Sequence, residues 1–104
     1  MSANGSDDWF IEMIREPAIG KNFVDSNERI RSQIIESGVQ ITGPELISRG
    51  LKSSSVGDIL AYCFMSMQAF DLLLEKGVIK EDVDKFKDET LKLFRTKFPE
   101  TLIN

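Results

Sequence analysis

Apolar residues recur along this chain at helical spacing in five runs, and nowhere do they alternate with polar ones for long enough to predict a strand. In the first run Trp9, Phe10, Met13 and Ile14 share one face. Ser6 or Asp7 can cap it, and it ends before Pro17 because the residue preceding a proline avoids helical geometry. The polar stretch 1–6 ahead of it has little to bury and reads as a disordered tail, whereas Trp9 reads as a packing anchor. Pro17 to Val24, with Gly20 inside it, reads as a connector in which Ile19 and Phe23 are packing points. A second helix is expected from Asp25, where Asp25-x-x-Glu28 has capping-box spacing, with Ile30, Ile34 and Ile35 inward until Gly38.

Val39-Gln40-Ile41 is too short for a strand and reads as a hydrophobic staple into the next element. That element is a short helical turn capped by Thr42, with Pro44 in its first turn and Glu45 completing a capping box. It is expected to stop at Gly50, with Leu51 as the apolar contact beyond. Three serines, Ser53 to Ser55, then mark a loop within one domain. Ser55-x-x-Asp58 opens the most apolar helix, closed by Gly77. Ile59, Cys63, Phe70 and Leu73 lie at core spacing, and Leu60, Phe64, Met65, Met67, Leu72 and Leu74 make the other side apolar as well. The last helix, Lys80 to Phe98, is acidic at its start and basic at its end, as the macrodipole prefers. Glu81 to Lys85 and Asp88 to Lys92 are its expected ion pairs; Val83, Phe86, Leu93 and Phe94 face inward, and Pro99 ends it. The pattern predicts an all-α fold, a compact irregular bundle of four helices plus one short helical turn, forming a single domain over 7–104.

Composition narrows the function more by exclusion than by assignment. The 104 residues suffice for one modest core, and 17 acidic against 13 basic residues give a net charge of -4, which disfavours a phosphate backbone as partner. A single cysteine, Cys63, cannot form an internal disulfide, and Met1 to Asp8 lacks a signal-peptide pattern, so the expected setting is cytoplasmic with a reduced thiol. The longest apolar stretch, Ile59 to Leu74, is interrupted by Ser66, Gln68 and Asp71 and reads as a core helix, with no membrane partner expected.

No catalytic, cofactor-binding or metal site is expected. Without histidine the commonest general base and metal ligand is missing, and the acidic pairs Asp7-Asp8 and Glu81-Asp82 sit at helix starts, where they serve the dipole. Cys63, between Tyr62 and Phe64 in the apolar helix, has no nearby cation to make it a nucleophile and reads as an inert buried thiol. Phosphate-binding and calcium-binding loops of the familiar kinds do not occur.

Between Asp8 and Leu46 the residues Phe10, Glu16-Pro17, Gly38, Thr42 and Glu45-Leu46 give a segment that resembles the leader region of ribosomally made peptide precursors found beside nitrogen-fixation genes. That resemblance implies a modifiable core peptide after the leader. This chain continues instead as two predicted helices, so the reading is not adopted. The turn from Gly38 to Thr42, followed by Arg49 and Lys52, has the outline of a helix-turn-helix, but Pro44 and Glu45 would face the groove of a duplex.

What remains is a surface on the apolar helix made of Phe64, Met65, Met67, Gln68 and Leu72, in which methionine suits an adaptable contact. The expectation is a small helical protein–protein interaction module, an accessory or regulatory subunit without catalysis, docking on another protein or pairing with itself as a homodimer. The alternatives are a small-molecule binding protein, with Trp9, Phe64, Phe70 and Phe86 lining a pocket and Tyr62 or Gln68 orienting the ligand, and a DNA-binding regulator.

Overall fold

The computed structural model describes residues 5–98, with side chains from Trp9 onward. Five helices follow one another: α1 (Gly5–Arg15), α2 (Pro17–Ser37), α3 (Gly43–Lys52), α4 (Val56–Glu75) and α5 (Lys80–Arg95). There is no strand among the described residues, and the fold is an all-α bundle. The caps expected at Ser6 or Asp7 and the stop at Pro99 lie outside the described side chains and residues. Of the tail expected over 1–6, Gly5 and Ser6 already belong to α1.

The junction of α1 and α2 corrects the expected connector. Glu16 is the N-cap of α2, its carboxylate Oε1 accepting from the Ala18 amide at 2.9 Å, and Pro17 fills the first helical position where its missing N–H costs nothing. Gly20 permits the sharp turn, because a β-carbon there would fall 2.4 Å from the Ile14 carbonyl oxygen. Helix α2 therefore begins eight residues before Asp25, which caps nothing and instead accepts from Lys21 one turn earlier at 3.1 Å.

Gly38, at φ 69°, ends α2 in the left-handed conformation that glycine adopts without penalty. The staple then falls to Ile41 and Leu46, which flank the Thr42 cap and pack in one cluster, while Val39 is exposed. Thr42 Oγ1 accepts from the Glu45 amide at 3.3 Å, and Ser55 Oγ from the Asp58 amide at 3.4 Å, so both sequence-marked caps form. Helix α3 does not stop at Gly50. That glycine is buried inside the helix, where a β-carbon would lie 2.5 Å from the Phe94 ring and 2.8 Å from Tyr62 Cβ.

Helix α4 occupies the centre, against α2, α3 and α5. It runs parallel to α2: Gly57 sits against Asn22 and Ser26, Arg29 pairs with Asp58, and further along Arg31 donates to Gln68. It runs antiparallel to α5, with Lys87 paired to Asp71 at 3.0 Å and Phe94 packed near the other end with Leu60 and Cys63. One core cluster gathers Trp9, Met13, Ile59, Leu60, Cys63, Leu91, Phe94 and Phe98; a smaller one gathers Ile30, Leu46, Ala61 and Met65. Each leucine, isoleucine, phenylalanine or methionine among them, fully buried, contributes about 1.5–3 kcal/mol before the entropy of ordering it is set against the gain.

Three expected inward positions are corrected. Ile35 on α2 is 77% exposed, and on α5 Phe86 and Leu93 are 45% and 50% exposed, the buried stripe there being Val83, Thr90, Leu91 and Phe94. Helix α5 also ends at Arg95, short of Phe98. Asp88 and Lys92 pair at 3.1 Å as expected, but Glu81 and Lys85 do not, Lys80 pairing with Asp84 instead. At 20 residues α4 is long and apolar enough to cross a bilayer by length and composition, more than its interrupted apolar stretch suggested, although its first half is core.

Candidate interaction groove

A groove lies between the C-terminal halves of the parallel α2 and α4, and Ile41 of the segment linking α2 to α3 lines it on a third side. Its volume is about 260 Å³. Leu46, Met65 and Ala69 form its floor, Ile34, Ile35 and Ile41 one wall, Leu72 the other, and Arg31 and Gln68 hold each other across it. Its apolar rim is open: Ile35 is 77% exposed and Leu72 56%. Val39 and Ile41 continue the surface around the end of α2, toward Arg49 and Tyr62. Arg49 donates there to Glu45 at 3.0 Å; that bond, opposed by desolvation and helped by the Tyr62 hydroxyl, raises its pKa above the ordinary arginine value.

The five residues expected to form one surface divide between two. Met65, Gln68 and Leu72, at spacings of three and four, line this groove, whereas Phe64 and Met67 turn to the other flank of α4. There they meet Phe10, Ile11, Ile14 and Leu91 around a second, almost purely apolar cleft of about 340 Å³. Met65 is only 7% exposed, so it belongs to the core floor and does not project toward a partner. Ile34, Ile35 and Val39 were not anticipated as site residues. Their signal is the adjacent Ile34-Ile35 pair, since neighbours about 100° apart on a helix cannot both face one narrow core.

The four aromatic residues proposed for a ligand pocket do not line one cavity together, although Phe70 and Phe86 stack on each other. Trp9 packs on Phe98 with centroids 5.7 Å apart, Phe64 on Phe23 at 5.5 Å, and Phe70 on Phe86 at 6.3 Å. Cys63 is fully buried, and among the described residues no three histidine, cysteine, aspartate or glutamate side chains gather as a metal site. Compared with known proteins, the chain matches no family model, no curated protein and no solved structure.

Proposed function

We propose that the protein is a small helical interaction module, an accessory or regulatory subunit acting stoichiometrically and without turnover in the cytoplasm. The observation that supports this is the exposure of Ile35 and Leu72 around a groove whose floor is already part of the core, with exposed Val39 on the surface that adjoins it. Scattered surface leucines are ordinary, but contiguous ones framing a concavity mark a place where apolar surface is buried on binding. An amphipathic helix laid between α2 and α4 would bury them with anchors three, four and seven residues apart.

Met65 is unsuitable as a probe because a charge there enters the core. Ile35→Glu with Leu72→Glu changes only the rim. In a tagged pull-down, a stoichiometric partner captured by the wild-type chain and weakened at least about tenfold by the double variant supports the groove. A partner held equally well by a variant of unchanged helicity would refute it.

A second reading, a small-molecule binding protein, is favoured by the cleft between Phe10, Phe64, Met67 and Leu91, whose near absence of polar lining suits an uncharged apolar ligand. A saturable thermal shift with such a compound, abolished by Met67→Glu, is its expected outcome.

A further inference from the structure

Of the side chains that line the groove between α2 and α4, Arg31 alone is ionisable. Its guanidinium donates to the side-chain oxygen of Gln68, a neutral acceptor, and among the described residues it closes no ion pair. Arg15, Arg29 and Arg49, by contrast, each stand against a carboxylate, those of Glu12, Asp58 and Glu45. Arg31 and Gln68 are both exposed. A guanidinium carries five N–H donors in a planar fork that matches a carboxylate, so the single bond to Gln68 leaves most of them for another acceptor. Four residues further along each wall, about 6 Å, stand Ile35 and Leu72. The two walls therefore repeat one order: a polar rung of Arg31 and Gln68, then an apolar rung of Ile35 and Leu72.

We infer that the segment docking in this groove is a helix of another protein that carries an aspartate or glutamate one turn from its apolar anchor, Arg31 taking the carboxylate and Ile35 with Leu72 the anchor. This rests on the interaction reading above and adds the chemistry of the partner to it. A lone cation on apolar walls favours an opposite charge, and a helix laid over it excludes water from the pair and strengthens it. A carboxylate accepts two parallel N–H bonds from a guanidinium, and Gln68, being exposed, turns to water when it is displaced. The chain as a whole, at a net charge of -4, repels a partner that is acidic along its length, so what is recognised is one placed carboxylate beside an apolar face. A helix about 10 Å across presents side chains to both walls, where Ile35 and Leu72 stand open, whereas the single alkyl chain of a fatty acid is narrower and covers less of them.

The test uses a displayed library of amphipathic helical peptides in which acidic, basic and neutral residues are equally represented at the polar positions. Peptides are selected on the full-length chain and retained where Ile35→Glu with Leu72→Glu abolishes their binding. The retained peptides are expected to carry Asp or Glu three or four residues from an apolar anchor. Arg31→Gln is expected to weaken them about three- to tenfold and Arg31→Glu at least about tenfold, with lysine in place of the peptide's acid restoring binding to Arg31→Glu. That restoration cannot come from a misfolded variant. Groove-bound peptides without an acid preference, or held equally by Arg31→Glu, would overturn the inference and leave the groove standing. The absence of any peptide sensitive to Ile35→Glu with Leu72→Glu would overturn both. A chain that dimerises through Ile35 and Leu72, or a groove that takes decanoate and no peptide, would overturn the inference in favour of that occupant.

Discussion

At the scale of single residues, the glycines separate positions that look alike in the sequence. Gly50 holds a helix against two aromatic residues, and the methyl group of Gly50→Ala would lie 2.5 Å from the Phe94 ring and 2.8 Å from Tyr62 Cβ. Phe94 is fully buried and a β-carbon belongs to the backbone's own frame, so neither neighbour has room to yield. Overpacking of this kind costs about 1–3 kcal/mol, which for a chain of this size lowers Tm by about 4–8 °C per kcal/mol in a thermal melt. Gly43→Ala is the matched control: its methyl would meet Ala69 Cβ at an ordinary 3.7 Å, and the expected change is within about 0.5 kcal/mol. A gain in stability at Gly50, which the better helix propensity of alanine alone would give, would mean that the α3–α5 approach does not govern this position.

At the scale of elements, cap chemistry was legible wherever a hydroxyl stood three residues before an acid, and misleading where the acid served another purpose. Thr42 and Ser55 cap α3 and α4 as their spacing indicates, and Gly38 ends α2. Asp25-x-x-Glu28 has the same spacing but lies inside α2, because Glu16 and Pro17 start that helix a full two turns earlier. Pro17 reads equally as the end of one helix and the first residue of the next; only the packing of Gly20 against the end of α1 decides, and that contact is tertiary. Thr42→Ala is therefore expected to cost about 0.5–2 kcal/mol in chemical denaturation. Asp25→Ala removes only an exposed pair with Lys21, worth about 0.3–0.5 kcal/mol. A loss of cap size at Asp25 would restore a helix start there. The site was legible in part for a related reason. The apolar surplus of α4 was visible, but its division between two flanks depends on α2 running parallel to it, and no local pattern encodes which helix is the neighbour.

At the scale of the whole molecule, the five helices make a slab measuring 38 × 38 × 20 Å, thin enough that a central helix cannot be enclosed along its whole length. Helix α4 shows the consequence. Gly57, Ile59, Leu60, Ala61, Cys63, Met65 and Ser66 are buried, and beyond Ser66 no residue of the helix is, even though Phe70, Leu72, Leu73 and Leu74 are as apolar as those before them. Opening free energy follows the apolar contacts that must be broken, so the two halves of one continuous helix should differ in protection. Amides of residues 59–66 are expected to exchange hydrogen only with global unfolding, and those of 70–75 through a cheaper local opening, read residue by residue by NMR or mass spectrometry. Occupation of the groove, which touches Gln68, Ala69 and Leu72, should slow exchange in the second half and leave the first unchanged. Uniform protection along α4 in the isolated chain would mean that its exposed end is held by helix cooperativity alone, and the groove would then be a rigid surface awaiting a partner instead of one that orders upon binding.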